Sequence, residues 1–294
     1  MNVNIDEIIS NFNPNKSLPI KTLIYNKRNS LVVFRSSAYY MRDKNGKFVI
    51  LSGLLPALKK AFYKDKDSFK MFKMAKTKSN SIGGFGRFFG SMRGSLIHEQ
   101  LNDFLLFDKE NFLKKHAGLH PFGTRILQLI SEKNWIPIVS EFDIFDEKLK
   151  IGTSIDMVCL SKDTGNIITI EIKTGYKNYF EIKNGYMKGC LKGILPYSLK
   201  NCATLQILTA MLFIIKNHKI DISYLEGYVI QINDEELNSY KVSNDLIIKY
   251  GKKIYDNLHK SHISEIKLKR KLKKDKKEIR SLQSIKKTPK KRIK

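Results

Sequence analysis

The residue types that point to chemistry are concentrated in residues 140–175, which have the sequence SEFDIFDEKLKIGTSIDMVCLSKDTGNIITIEIKTG. Strict alternation near the end of this segment predicts a strand over 167–173 with two distinct faces. Glu171 and Lys173 share one face, whereas isoleucines make up the other. An acid and an amine therefore project side by side from a strand whose opposite face is suited to burial. This pattern is typical of a central strand that carries a functional site.

A second carboxylate is predicted to face Glu171. The sequence KDTGN at 162–166 is a turn signal that joins this strand to the one before it. Symmetry of the hairpin about Asp163 and Thr164 places Asp156 directly opposite Glu171, with Cβ atoms about 5 Å apart. Two like charges at this distance destabilise a sheet unless a positive charge lies between them.

A divalent cation supplies such a charge. Oxygen ligands suit Mg²⁺ or Mn²⁺, which polarise a phosphoryl oxygen and lower the pKa of bound water. Lys173 follows Glu171 by two residues and is expected to reach the same site. The alternative is an exposed hairpin in which Asp156, Glu171 and Lys173 form an ordinary solvated ion cluster.

These residues carry a resemblance to a known family. Glu141, the segment Gly152-Thr-Ser-Ile-Asp156 and the segment Glu171-Ile-Lys173-Thr-Gly resemble the core of the PD-(D/E)xK nuclease superfamily. The RecB-type exonuclease branch adds a helical G-x-x-x-H, matched by Gly94-Ser-Leu-Ile-His98, and a later helical glutamine, matched by Gln206. The order of the motifs agrees over residues 94–206.

The resemblance implies roles for individual residues. Asp156 and Glu171 are expected to ligate the metal, with the carbonyl of Ile172, the imidazole of His98 and the carboxylate of Glu141 as further ligands. Lys173 is expected to position or activate the attacking water, and Gln206 to orient that lysine or contact DNA. The family often has a tyrosine four residues after the glutamine, whereas this chain has Ala210.

Three of these assignments have structural alternatives. A lone histidine such as His98 on an amphipathic helix is often a satisfied core residue. Gln206 lies on a very apolar helix, where a buried amide must find a structural partner. Asp143 shares the strand face of Glu141 and competes with it as the acidic neighbour of the metal. Gly118 and Pro121 predict a plain loop around His116 and His120 rather than a metal site.

The expected fold is α/β, with a restriction-endonuclease-like core whose mixed central sheet is flanked by helices. The core is assigned to residues 90–260. Residues 1–89 are expected to form a basic region with a β-hairpin and a helix, and residues 261–294 a disordered basic tail. The hairpin is expected to pair 31–34 with 48–51 around Asn45-Gly46, and 81–90 is expected to be a glycine-rich loop. Further helices are expected over 122–135, 202–215 and 244–258.

Charge points to a polyanion as partner. The chain has 54 Lys and Arg against 28 Asp and Glu, which gives a net charge of +26. Enrichment of lysine by coding bias in an AT-rich genome is the alternative explanation. The residues expected to contact nucleic acid are Arg87, Arg93, Lys177, Lys273 and Lys274.

Cysteine content and hydropathy exclude several classes. Cys159, Cys190 and Cys202 form no C-x-x-C pair, so we expect neither a disulfide framework nor an iron–sulfur cluster. No apolar run approaches the roughly 18 residues of a membrane span, and residues 1–20 lack the pattern of a secretory signal. A soluble, intracellular protein without a membrane partner is expected.

The function expected from the resemblance is that of a metal-dependent DNA nuclease. Exonuclease activity on single- or double-stranded DNA, in replication, recombination or repair, is favoured over endonuclease activity. A catalytically inactive nucleic-acid-binding protein on the same fold is the main alternative, and an RNA-directed nuclease is a further one.

The first prediction concerns the basic tail. Residues 261–294 carry 15 basic and 3 acidic side chains, and each phosphate neutralised on duplex DNA adds about 0.9 to the slope of log affinity against log salt. Truncation after Leu258 should lower DNA affinity at low salt and flatten that slope, while cleavage of saturating DNA stays nearly unchanged. Fluorescence anisotropy over a salt series measures both quantities. An unaltered affinity and slope would show that the tail does not bind DNA.

Overall fold

The computed structural model describes residues 32–35, 38–42, 47–63, 86–175 and 180–263. Residues 261–263 of the predicted disordered tail are helical, and the rest of that tail and the predicted DNA contacts Lys177, Lys273 and Lys274 lie outside these residues. Arg87 is described only as part of a helix.

The central element is a mixed eight-stranded sheet. Its strands are β1 (Val32–Arg35), β2 (Ala38–Arg42), β3 (Phe48–Gly53), β4 (Trp135–Asp146), β5 (Ile151–Ser161), β6 (Ile167–Thr174), β7 (Leu225–Ile232) and β8 (Leu237–Val242). The strand order is β1-β2-β3-β5-β6-β7-β8, and β4 pairs with β5. The pairs β3–β5 and β6–β7 are parallel and the others are antiparallel.

Helices flank this sheet, so the predicted α/β class with a mixed sheet is confirmed. They are α1 (Leu54–Phe62), α2 (Gly86–Leu106), α3 (Lys109–His116), α4 (Pro121–Glu132), α5 (Leu199–His218) and α6, over residues 244–263. Short 3₁₀ turns cover Gly189–Leu191 and Ile222–Tyr224.

Because α6 continues to residue 263, truncation after Leu258 cuts a helix, and the tail experiment should instead remove residues after 263.

The β5–β6 hairpin has the register predicted from its turn. Met157 pairs with Ile170, and the next three pairs continue to Leu160 and Ile167. Asp156 and Glu171 are the next residues along the two strands, beyond the last paired positions. The local turn chemistry and the alternation of apolar residues therefore fix this register.

Two apolar layers cover the sheet. On one face, β5, β6 and β7 pack against α1 and α5 through residues such as Val158, Ile167 and Phe213. On the other face, Met157, Ile170 and their neighbours pack against residues of α2 and α4. The sheet is therefore buried on both sides, as expected for strands that read as apolar runs.

Helix α5 is the one helix in the described residues that is long and apolar enough to cross a membrane. Its apolar window is 61% buried inside the fold, and 11 of its residues are buried. It packs on β6 and β7. The expectation that no segment reaches the composition of a span is therefore wrong for α5, whose hydropathy is that of a helix buried in the core.

Two predictions in the first 90 residues are corrected. Strand β3 pairs with β2, and β2 pairs with β1, so 31–34 is not the direct partner of 48–51. The second correction concerns the glycine-rich segment, because Gly86–Gly90 belongs to α2 rather than to a loop. A helix that is anchored further along by tertiary packing extends through glycines that local propensity disfavours.

The sheet and core extend across the sequence-based boundary at 89/90. Ser52 and Gly53 of β3 pair with Ile151 and Gly152 of β5. Leu58 and Phe62 of α1 belong to the same buried cluster as α5. The division into three parts stays a prediction.

Asp146 ties three elements together at the end of β4. Its carboxylate is fully buried and accepts hydrogen bonds from the Leu149 N–H at 2.7 Å, the Tyr255 hydroxyl at 2.9 Å and the Lys216 ammonium at 2.6 Å. Lys216 lies in the last turn of α5 and Tyr255 lies on α6, so one carboxylate fixes both helices to the sheet.

Replacement of Asp146 with alanine should lower the free energy of unfolding by about 2–3 kcal/mol, since it leaves these donors without their acceptor. Chemical denaturation measures this change. The matched control is Lys114→Gln, which removes an exposed ion pair to Glu110 and should cost about 0.5 kcal/mol or less. Equal effects of the two substitutions would contradict a structural role for the Asp146 network.

Candidate metal centre

The site lies where β5 changes its partner strand. One edge of β5 pairs with β4 over its whole length. The other edge pairs with β3 at Ile151 and Gly152 and with β6 from Met157 onward. Within the described strands, residues 153–156 have no ladder partner on that edge, and this opening in the sheet contains Asp156.

Asp156 is held by backbone groups of its neighbours. Its Oδ2 accepts a hydrogen bond from the Ile172 N–H at 2.6 Å. In an uninterrupted β-ladder, a backbone carbonyl would accept such a bond. Its own carbonyl accepts from Ser140 Oγ at 2.7 Å. The second carboxylate oxygen, Oδ1, faces His98 at 3.6 Å. One oxygen therefore fixes the side chain and the other is presented to the site.

Glu141 lies beside Asp156 on β4, between the pairs Ser140–Met157 and Phe142–Ile155. Its backbone has a φ of +49°, a left-handed conformation that is unfavourable for glutamate. Strain of this kind is tolerated where the surroundings determine the conformation, and it is common at functional sites.

His98 completes a group of three. Its Nδ1 is 3.0 Å from Glu141 Oε1, and the ligand atoms of His98, Glu141 and Asp156 all lie within 4.8 Å of one another. Burial lowers the pKa of His98, but the charges of Asp156 and Glu141 outweigh burial and raise the pKa to about 9. The imidazole is therefore protonated at neutral pH and separates the two carboxylates.

Glu171 and Lys173 lie next to this group, as predicted. Lys173 Nζ donates to Glu171 Oε1. Burial raises the pKa of Glu171 to about 7 and the charge of Asp156 adds to this, whereas the ammonium of Lys173 lowers it. Burial likewise raises the pKa of Asp156, against the charges of His98 and Lys173. Glu171 is thus a buried acid that is stabilised by the ammonium group of Lys173.

Of the other predicted ligands and contacts, Ile172 donates its N–H to Asp156, and the role of its carbonyl stays a prediction. Gln206 is half-buried on α5, one turn after Cys202, and its role also stays a prediction. Arg93 lies on α2 and donates to Asp234 Oδ1 at 3.1 Å, with its guanidinium over the Phe122 ring. These contacts fix Arg93 within the fold.

The glycines of the two motifs have packing reasons. A Cβ on Gly94 would lie 3.0 Å from Thr174 Oγ1, so this glycine lets α2 approach the end of β6 and brings His98 to the site. A Cβ on Gly152 would lie 3.0 Å from Tyr39 Cβ. Tyr39 therefore lies directly on β5, close to the opening in the sheet.

An acidic cavity of about 570 Å³ opens beside the group. It is lined by Tyr39, Gly94, Ser95, His98, Glu99, Asn102, Glu141, Asp143 and Ser154. Ser154 Oγ donates to Asp143 Oδ1 at 2.5 Å and lies 3.0 Å from the Tyr39 hydroxyl. Asp143, the predicted competitor of Glu141, thus lies in the cavity wall. Tyr39 could not be predicted as a site residue from sequence, because its neighbour Ser154 is 115 residues away.

A second group of ligand-type residues contains Glu99, Asp103 and His116. Lys115 Nζ is 2.9 Å from Glu99 and 2.7 Å from Asp103, and His116 Nε2 is 2.7 Å from Asp103. No helix spans both His116 and His120, as predicted from Gly118 and Pro121: His116 is the last residue of α3, and residues 117–120 are outside the helices. His120 caps α4 by accepting a hydrogen bond from the Phe122 N–H. Lys115 already balances these acids, so the group is a structural ion network.

The two histidines offer a matched test. Replacement of His98 with alanine should weaken Mn²⁺ binding about tenfold or more, because a ligand atom is lost. Replacement of His116 with alanine removes an equivalent carboxylate contact outside the site and should leave Mn²⁺ affinity unchanged. Isothermal titration calorimetry measures both. If the His98 variant binds Mn²⁺ like the wild type and only melts earlier, His98 is a core residue.

No family model matches the sequence, and no curated protein matches it. Among solved structures, the crystal structure of SSO0001 is similar over 57% of this chain and 87% of that protein's chain, with 15% sequence identity and a TM-score of 0.21. A TM-score this low carries no argument about fold or function.

Proposed function

We propose that this protein is a metal-dependent nuclease of the PD-(D/E)xK type with a restriction-endonuclease-like core. The supporting observation is the convergence of His98, Glu141 and Asp156 within 4.8 Å beside the Glu171–Lys173 pair. These residues come from α2, β4, β5 and β6, and they are the residues of the motifs that resemble the RecB-type branch. Sheet strands and helix packing bring these distant motif residues to one place.

The donor set fits a divalent cation. His98, Glu141 and Asp156 would hold it, with Glu171 and the carbonyl of Ile172 next to them. One imidazole nitrogen among carboxylate oxygens suits Mn²⁺, and carboxylates with water suit Mg²⁺. Such a cation supplies Lewis-acid polarisation of a phosphoryl oxygen and a bound water of lowered pKa.

The chain's own residues would position the substrate and protect the site. Lys173 carries the ammonium nearest to the acids, and its contact with Glu171 directs it toward the place where negative charge develops on a phosphoryl group. The hydrogen bond from Ile172 keeps Asp156 Oδ1 oriented. Glu171 is only 5% exposed, so its carboxyl group is shielded from bulk water.

DNA is the proposed substrate. The net charge of +26 supports a polyanionic substrate. Action as an exonuclease in replication, recombination or repair is proposed from the resemblance of the motifs to the RecB-type branch.

Removal of one charged group should stop the reaction. Asp156→Asn, Glu171→Gln and Lys173→Ala should each lower metal-dependent cleavage by at least about 100-fold, because each changes the charge at the phosphoryl centre. End-labelled linear and circular DNA, single- and double-stranded, and RNA should be incubated with Mg²⁺, Mn²⁺ or EDTA. Degradation of linear DNA with circular DNA left intact is expected from an exonuclease.

The control is Lys114→Gln, an exposed substitution on α3 that should keep the wild-type rate. Cleavage in EDTA, or full activity in any of the three site variants, would contradict the mechanism. Tight DNA binding by a wild-type protein that cleaves no substrate with either metal would instead favour the catalytically inactive nucleic-acid-binding protein.

A further inference from the structure

A lysine-rich surface borders the site on the side of Lys173. Three segments form it: residues 54–63, with α1, residues 186–198, and residues 251–258 of α6. The Lys188 N–H donates to the Phe62 carbonyl at 2.7 Å, and a side chain at Gly189 would meet both the Ala61 carbonyl and Asn257. The segments contain a single acidic residue, Asp256, and six lysines: Lys59, Lys60, Lys188, Lys192, Lys252 and Lys253. We call these six residues the lysine surface.

The lysine surface is joined to the site through Tyr63 and Cys202. The Tyr63 hydroxyl donates to the Cys202 carbonyl at 3.2 Å, near the start of α5. Burial raises the pKa of the Cys202 thiol to about 12, while the ammonium groups of Lys173 and Lys59 both lower it. Lys59 and Lys173 are thus both close enough to Cys202 for their charges to act on its thiol, so the lysine surface lies on the Lys173 side of the site.

The opposite side of the site has the reverse charge. The cavity is lined by Glu99, Glu141 and Asp143, and no lysine or arginine is among the described residues that line it. Phosphate groups are repelled there and attracted on the other side. The electrostatic potential is therefore negative at the cavity end of the site and positive at the lysine end.

We propose that the lysine surface binds the phosphodiester backbone of a nucleic acid strand and leads it to Lys173. This inference rests on the proposed nuclease function for its purpose, but the binding it describes is measured without cleavage. Five of the six lysines, namely Lys59, Lys60, Lys192, Lys252 and Lys253, are exposed side chains on three neighbouring segments. Lysines act on phosphates as point charges, so the surface favours any strand with a continuous phosphate backbone rather than a particular sequence.

The test compares two full-length variants with the same change in charge. The first carries Lys59→Gln, Lys60→Gln, Lys192→Gln and Lys253→Gln. The control carries Lys109→Gln, Lys114→Gln, Lys148→Gln and Lys162→Gln, four exposed lysines on α3 and on the turns before and after β5. Binding of short fluorescent single-stranded DNA, and of RNA of the same sequence, is measured in EDTA over a salt series.

Each phosphate contact on a single strand contributes about 0.7 to the salt slope. The surface variant should therefore lose a slope of about 3 and bind about 10- to 100-fold more weakly at low salt, whereas the control stays close to the wild type. Equal losses in the two variants, or no loss in the surface variant, would overturn the proposal. The DNA and RNA arms identify which backbone the surface prefers.

Cleavage of saturating DNA separates this inference from the function on which it rests. The surface variant should cut at the wild-type rate when fully bound, because none of its substitutions is in the metal centre. If the wild type binds DNA through the lysine surface but cleaves no DNA, the nuclease proposal is wrong and the proposed binding role of the lysine surface is supported. If the surface variant is inactive at saturating DNA although it melts like the wild type, a mere binding role for these lysines is wrong.

Discussion

Repulsion among three carboxylates is the constraint on which the rest of the site depends. Glu141, Asp156 and Glu171 are brought together at an opening in the sheet, where burial and the charge of a neighbouring carboxylate oppose the ionisation of Asp156 and Glu171. Two positively charged side chains from different elements compensate this repulsion: His98 from α2 and Lys173 from β6. Removal of either cation would leave buried like charges uncompensated, so α2 must be packed on the sheet before the site can exist.

The opening itself results from a change of strand partner. Strand β5 begins beside β3 and ends beside β6 on the same edge, and the residues between the two pairings need other hydrogen-bond partners. At this interruption, the side chain of Asp156 accepts a hydrogen bond from the Ile172 N–H of β6. Ser154, two residues earlier, uses its hydroxyl to bind Asp143. The interrupted ladder thus both exposes the acidic side chains and fixes their orientation.

The features that could be predicted from sequence are those determined by local chemistry. The β5–β6 register follows from the turn at Asp163 and from strict alternation, and the core helix α5 follows from its apolar composition. The features that could not be predicted depend on distant contacts. Strand β2 was not recognised. Its Tyr39 contacts Ser154 at the site, although the two residues are 115 positions apart in the sequence. Glycines at the start of α2 predict a loop, but packing of the rest of that helix extends it through them.

The two ends of the site differ in charge, and this difference constrains how a polyanion approaches. On the cavity side, Asp143 repels phosphate, whereas a cation held by His98, Glu141 and Asp156 would attract it only at short range, since salt screens exposed charges beyond about 8–10 Å. On the other side, lysines extend the attraction outward from Lys173 along α1 and its neighbours. In the proposed mode of binding, a strand that arrives over the lysines would bring its phosphates to the carboxylates, and each phosphate would pass from positive to negative surroundings at the candidate metal centre. The proposed reaction is therefore placed at the boundary between the two fields, where a bound cation is needed for the phosphate to advance.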